Sequence, residues 1–287
     1  MKKAIIVGSG PAGISAALYL QRSGKAEVII ITTGIGALEK AEKIENYYGF
    51  DQPISGKELY ERGVEGARRL GVQFIEEEVV SLSYNADMKP VVVTDKHEYT
   101  ADAVLLATGA SRKTVPIPGL QEHEGKGVSY CAVCDAFFFR NKPVCVIGSG
   151  EYAVHEAQVL VNTSQSVTIL TNGSLMTASV PENIHVIEKK IAAVTGGTVV
   201  EAVRFADGEE LPVKGIFIAL GVAGSSDLAR KVGAETENNR IKVDEKMQTS
   251  LPGLYAAGDC IGGMLQVYKA VSDGAAAGLS MLNYLKS

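Results

Sequence analysis

Two stretches of this chain open in the same way. "AIIVG" and, further on, "VCVIG" are short runs of β-branched and other apolar residues without alternation, the pattern of strands covered on both faces. Each runs into a glycine-rich turn and then a small-residue stretch of helical character, which in the first copy covers about Gly13 to Arg22. A second apolar run follows each time, "VIIIT" in the first copy and "VTILT" in the second. Strand, helix and strand at this spacing predict a βαβ unit, and the repetition predicts two such units. Between them, "VLLATGASRKTVPIPGL" is a further buried strand, a glycine turn and two prolines that favour an extended crossover. Near the end "SLPGLYAAGDCIGG" repeats the strand and glycine pattern, and residues 274 to 286 read as a terminal Ala-rich helix.

The first glycine turn is Gly8-x-Gly10-x-x-Gly13, following a strand and opening a helix, which is the context this motif requires. Gly8 permits the tight turn, Gly10 lets backbone approach a pyrophosphate, and Gly13 allows close helix–strand contact. Ser9, Pro11 and Ala12 complete the turn, so the phosphates sit at a helix N-terminus. The second copy reads Gly148-x-Gly150-x-x-Ala153. The expected fold is therefore α/β, with two Rossmann-like, three-layer dinucleotide-binding domains and the second inserted into the first. Residues 1–115 and 249–287 form the first domain on this reading, and 116–248 the inserted one.

Composition adds limits. The chain has 287 residues, 46% of them apolar and 21% charged, as in a soluble globular protein of about two domains. A net charge of −5 argues against nucleic acid as a partner, and no apolar run reaches membrane-spanning length. The N-terminal "MKKAIIVGSGPAG" carries lysines and an apolar run, but its glycines have the explanation above and no small-residue cleavage site follows, so a cytoplasmic location is expected. Four cysteines, two of them isolated, are too few for a disulfide framework.

The strand after the first helix ends in "TTGIG", without the acidic residue that marks an NAD reader. "LLATGA" and "GLYAAGDC" instead resemble the second and third FAD motifs of the two-dinucleotide flavoproteins. That resemblance implies cofactor contacts at Ala107, Thr108, Gly109, Gly258 and Asp259, and FAD as the cofactor. "CAVCD", residues 131 to 135, lacks the second ligand pair a zinc site needs. In a flavoprotein it reads as a dithiol that exchanges with a substrate disulfide, with Asp135 moving protons to and from the leaving thiol. A solvated or capping role for Asp135 is the plainer alternative. No metal site is expected, the four histidines form no cluster, and Cys145 and Cys260 read as buried packing residues.

Taken together, these motifs resemble the low-molecular-weight thioredoxin reductases over essentially the whole chain. "KIENYYGF" is similar to that family's "VENWPG" segment, and "LQVYKAVSDGAAAG" to its "RQVVTAAGDGAIAA" stretch. The resemblance implies flavin contacts at Asn46, Val79, Gln266 and Val267, a homodimer, and a domain rotation that exposes the dithiol to thioredoxin. By the same resemblance Cys134 faces the flavin and Cys131 attacks the partner disulfide.

The second fingerprint departs from that family. Where the family carries "HRR…R" after the second strand, to hold the 2′-phosphate of NADPH, this chain has Thr171, Asn172, Gly173 and Ser174, with no basic residue before Lys189. Tyr152 places a bulky ring near the pyrophosphate turn, and Leu265 stands where the family has arginine. Losing two charge-assisted hydrogen bonds at about 1.5–3 kcal/mol each weakens binding by roughly two to four powers of ten. NADPH is therefore not expected as a ligand, and no carboxylate rescues NADH. The chain resembles the ferredoxin-dependent flavin thioredoxin reductases, and ferredoxin is the expected donor, with Arg68, Arg69, Arg112 and Lys113 as candidate docking residues. An NADPH-driven reductase, a flavin dithiol oxidase and a non-enzymatic redox sensor remain the alternatives.

Overall fold

A computed structural model describes residues 1–110 and 115–286. The chain divides into two compact units, Met1–Ser111 with Gly224–Ser287, and Arg112–Ala223. As the sequence implies, each is built round a parallel sheet of the Rossmann kind.

In the first unit the sheet order is Leu254–Ala256, Ala103–Leu106, Lys2–Val7, Ala26–Thr32, Gln73–Glu76, with all neighbours parallel. The fingerprint strand Lys2–Val7 is central, and Ile5 and Ile6 are wholly buried, which explains its unbroken apolar run. The helix Pro11–Arg22 starts immediately after the turn, with Pro11 at a first-turn position that needs no N–H. A three-stranded antiparallel sheet, Val79–Tyr84, Pro90–Thr94 and Glu98–Thr100, adds a further layer.

The terminal helix runs Val267–Lys286, seven residues earlier than its Ala-rich portion suggests. Its small residues let it press on Pro11–Arg22. A Cβ at Gly274 would lie 2.1 Å from the Ala12 carbonyl oxygen, and one at Gly278 would lie 2.8 Å from that of Ala16. Ser15 Oγ donates to Val271 O at 2.7 Å across the same seam.

The second unit repeats the plan. Its parallel sheet has the order His185–Ile187, Ser166–Leu170, Pro143–Ile147, Gly215–Ile218, Val128–Ser129. The helix Glu151–Val161 follows the central strand, and Ile191–Thr195, Ala202–Phe205 and Glu210–Pro212 form an antiparallel sheet. Ile147, Leu170, Val203 and Ile216 share its buried core.

One expectation needs correction. Residues 224–248, placed in the inserted domain by the sequence, pack in the first unit. The helix Ser225–Lys231 lies against the strand Val79–Tyr84, and Lys231 Nζ donates to Val80 O at 2.8 Å. The neighbouring strands Thr236–Glu237 and Arg240–Ile241 have two residues each, too short to show a period.

The seam yields a contrast in stability. Gly274→Ala drives a methyl into the Ala12 carbonyl and is expected to destabilise by roughly 1–3 kcal/mol. Gly66→Ala, in a helix with nothing within 4 Å of the new methyl, is expected to stabilise by about 0.5–1 kcal/mol. Urea denaturation of both variants measures the difference.

Candidate active site

The first unit gathers its site at the C-terminal ends of the three strands Lys2–Val7, Ala103–Leu106 and Leu254–Ala256. Gly8 has φ +106°, and a Cβ there would lie 2.5 Å from Ala107 O. A Cβ on Gly13 would lie 2.0 Å from Gly8 O. The fingerprint and Ala107-Thr108-Gly109 turns therefore meet backbone to backbone. Gly10 differs: no atom lies within 4 Å of its missing Cβ, and no side chain caps the helix it precedes. The first helical bond is Ile14 N–H to Gly10 O, so the preceding amides stand at an open, electropositive end. Gly258 (φ +82°) closes the other side, its missing Cβ 3.0 Å from Ala12 Cβ.

The other expected residues of this unit are placed as follows. Burial pushes the Asp259 carboxyl up and Asp273 adds to the rise, against the opposing pull of Lys269. Asn46 Nδ2 donates to Gln266 Oε1 at 2.9 Å, so two residues 220 positions apart come together as a pair. Val267 follows at the start of the terminal helix. Val79 is buried at the head of its strand, so it offers backbone rather than a side chain. Ser9 Oγ is engaged with Thr32 Oγ1 at 2.7 Å, Tyr60 Oη at 3.0 Å and Gly34 O at 3.2 Å, which leaves its main chain for a ligand. Next to these lies a cavity of about 410 Å³ lined by Thr32, Tyr60, Glu76, Glu77, Glu78 and Asp95 among others. The acidic groups absent from the end of the second strand are thus brought in from the third and beyond. An open phosphate cradle, a polar cavity on one side and the half-buried Asp259 carboxylate on the other fit an extended dinucleotide such as FAD.

The sequence did not single out Ser225. It is buried; its Oγ accepts from Thr108 N at 3.1 Å and lies 2.8 Å from Thr108 Oγ1, which in turn accepts from Ser225 N at 2.8 Å. This clasp fixes the Thr108 turn.

In the second unit Cys131 and Cys134 form a disulfide with a Cα–Cα distance of 5.3 Å. Cys131 is the N-cap of the short helix Ala132–Asp135, and its Sγ accepts from Cys134 N at 3.2 Å. Ser129 Oγ accepts from Cys131 N at 3.1 Å and donates to Asp135 Oδ2 at 2.6 Å, which ties the aspartate to the dithiol loop. Cys131 is only 4% exposed, whereas Cys134 is exposed, flanked by Val133, Phe137 and Phe138 at 50%, 72% and 67%. This is the reverse of the accessibility that an attacking Cys131 requires. Cys145 and Cys260 are buried free thiols; burial raises both, Cys260 to about 12, which makes them inert.

The second fingerprint keeps its packing. A Cβ on Gly148 would lie 2.1 Å from Ala219 O. Tyr152, expected beside the turn, is instead 2% exposed, an interior residue. The loop after Ser166–Leu170 folds onto the fingerprint: Thr177 N and Oγ1 both donate to Ser149 O at 2.8 Å. Asn172, in the left-handed region, accepts from Ile191 N at 2.9 Å, and Thr171 Oγ1 donates to Ser174 O at 2.5 Å. Lys189 is held between Asp207 at 2.8 Å and Glu209 at 2.7 Å. Of the proposed docking cations, Arg68 and Arg69 are exposed, Arg68 standing 5.0 Å over the Phe74 ring. Arg112 and Lys113 lie outside the described residues.

Two fingerprint units, a flavin-type cradle and a redox disulfide define a flavin disulfide oxidoreductase. The family model described as pyridine nucleotide-disulphide oxidoreductase matches residues 2–274, and the chain belongs to that family, among its thioredoxin reductases. It is 36% identical to the thioredoxin reductase of Aquifex aeolicus, over 98% of this chain and 92% of that one. Among solved structures it is similar to the atypical thioredoxin reductase TRi of Desulfovibrio vulgaris Hildenborough, with TM-score 0.93, 36% identity, and 100% and 98% of the two chains covered. A ferredoxin-flavin thioredoxin reductase of Clostridium acetobutylicum gives TM-score 0.73 at 30% identity, covering 100% and 99%. Among the described residues no helix is long and apolar enough to cross a membrane, and no group of three His, Cys, Asp or Glu gathers to hold a metal.

Two outcomes follow from these contacts. Ser225→Ala removes the Oγ that accepts from Thr108 N, while Ser225 N still donates to Thr108 Oγ1; a stability loss of roughly 1–3 kcal/mol is expected for the amide left unpaired, with faster flavin loss in a dilution assay. Burial pushes the Glu77 carboxyl up, but hydrogen bonds from Thr94, His97 and Tyr99 together hold it below the ordinary range. Its contribution is therefore present above the unfolded value of about 4.3 and lost as pH falls through the lower folded value. Tyr99→Phe should flatten the acid limb of a stability–pH curve and leave the neutral part nearly parallel to wild type.

Proposed function

We propose that this protein is an FAD-dependent reductase of thioredoxin or a thioredoxin-like protein, driven by ferredoxin rather than NADPH. The observation that carries the reading is the Cys131–Cys134 disulfide with Cys134 at the surface and Val133, Phe137 and Phe138, close to it in the chain, exposed as well. Exposed aromatic residues round a reactive sulfur suit a protein substrate, not a small soluble disulfide. The cytoplasm is the fitting compartment, and the family resemblance supports a homodimer.

Bound FAD supplies the two electrons, and a flavin also accepts them one at a time. The chain's residues do the rest. Gly10 and the open amides of the first helical turn hold the pyrophosphate, and Asp259, Asn46 and Gln266 orient the remainder of the cofactor. Reduction breaks the Cys131–Cys134 bond and places protons on the sulfurs, one of which leaves before a thiolate can attack. Asp135, held by Ser129, is the group positioned to pass one of them. A thiolate then attacks the partner's disulfide to form a mixed disulfide. The second cysteine attacks that bond, which releases the partner as a dithiol and restores Cys131–Cys134. We assign the attack to Cys134, the exposed sulfur, and resolution to the covered Cys131.

The donor reading is supported by the second unit. Its loop is bonded onto the fingerprint turn through Thr177, offers no cation at residues 171–174, and has Lys189 engaged with two carboxylates. The likeness to a ferredoxin-flavin thioredoxin reductase points the same way.

Anaerobic titration of the purified yellow protein with NADPH, NADH and chemically reduced ferredoxin tests the donor. Bleaching of the flavin by ferredoxin alone is expected, and rapid bleaching by micromolar NADPH would overturn the assignment. For the thiols, Cys131→Ser should accumulate a mixed disulfide with a thioredoxin that lacks its resolving cysteine, whereas Cys134→Ser should accumulate far less, as read by intact mass.

A further inference from the structure

The helix Glu151–Val161 follows the second fingerprint, but one of its residues faces the dithiol instead. Glu156 is 1% exposed, and its Oε2 accepts from Ala132 N at 2.8 Å. Ala132 is the first residue of the helix that carries Cys134 and is bonded directly to Cys131. The other carboxylate oxygen lies 3.4 Å from His155 Nδ1. Burying a carboxylate is costly, and a neutral glutamine would accept the same amide hydrogen bond without that penalty. Glutamine therefore separates the hydrogen bond, which it keeps, from the charge, which it removes.

We propose that Glu156 is a positioning residue for the Cys131–Cys134 couple, fixing the first turn of the dithiol helix through Ala132 N–H and placing a carboxylate beside the covered sulfur so that the dithiol is held strongly reducing. The inference rests on the disulfide-reductase reading above. Amides at the start of a CxxC helix ordinarily stabilise the thiolate. Here the Ala132 amide is turned to Glu156 and is withheld from the sulfur, while that of Cys134 still donates to Cys131 Sγ. A negative group next to a buried sulfur opposes a second negative charge there, which destabilises the reduced form and makes the disulfide harder to reduce. Among the described residues, Asp135, fastened through Ser129, and His155 are titratable side chains bonded into this corner. Both stay unchanged in the substitutions that follow.

The test is equilibration of the full-length flavoprotein at pH 7 with mixtures of reduced and oxidised dithiothreitol, without oxygen. The reagent closes to its cyclic disulfide and passes two electrons to Cys131 and Cys134; its two protons go to the sulfurs, or to buffer for whatever fraction of the reduced couple is thiolate at pH 7. Alkylation traps the mixture, and the mass of the peptide holding both cysteines reports the ratio. Glu156→Gln, with an unchanged flavin spectrum and circular dichroism, should shift the equilibrium toward the dithiol by about tenfold, or about 30 mV for this two-electron couple. A shift under twofold would overturn the proposal. Should the glutamine variant fail to fold, Glu156→Asp keeps the charge and is expected within threefold of wild type, and a tenfold change there would be equally fatal. Neither thioredoxin nor an electron donor enters this assay. Absence of thioredoxin turnover would therefore sink the functional reading and leave this result standing.

Discussion

Backbone pressed on backbone at Ala12 is the constraint on which the first unit rests. Gly258 and Gly274, from segments some 250 residues downstream of the fingerprint, approach it so closely that a Cβ on either would crowd its methyl or its carbonyl. Gly8 and Gly13 do the same within the turn and against Ala107. Side chains cannot mediate contacts this short, so the fingerprint, the Thr108 turn, the Asp259 turn and the terminal helix form one rigid edge. That edge leaves Gly10 facing open space with helical amides beside it, which is what a pyrophosphate needs. The cofactor cradle is thus a by-product of packing that the fold requires anyway.

The second unit shows the two roles of such a turn coming apart. Gly148 still packs on Ala219 and Ala153, so the βαβ geometry persists. The ligand-facing part does not follow the same pattern: the loop after the second strand bonds back on Ser149 and turns Asn172 toward Ile191. Packing glycines are kept by the core's geometry, whereas loop residues are free to change without unfolding the sheet. A fingerprint therefore speaks strongly for fold and weakly for occupancy, which has to be read from the residues at the strand ends.

Both parallel sheets, the fingerprint turns and the dithiol were legible in the sequence because each is a local pattern. Uninterrupted apolar runs mark the strands, and the glycine and cysteine spacings mark the turns. What escaped was long-range pairing. Ser225 clasps Thr108 across 117 positions, and nothing near Ser225 announces it. The segment 224–248 was assigned to the wrong unit because its strands are two residues long and its place is set by Lys231 and Ser225 reaching the first unit. Tyr152 was read by size and neighbourhood, while the structure turns it inward. Asn46 and Gln266 emerged only through family resemblance, yet they form a direct hydrogen bond.

The energetics of the proposed route bear on why a charge sits under the dithiol. Plant-type ferredoxins lie near −400 mV and thioredoxin near −270 mV, so the intervening couple has a window of roughly 130 mV. A couple at the upper edge fills readily but delivers to its partner without drive. One at the lower edge delivers well but demands a low-potential donor. Glu156 moves the couple downward, a placement that suits a strongly reducing donor and tightens the link between two features at different places in the chain. On the proposed donor reading, the couple is not tied to the potential of a nicotinamide, and the dithiol is free to sit low. The carboxylate at the dithiol helix and the missing cations at the second strand are then two sides of one adjustment.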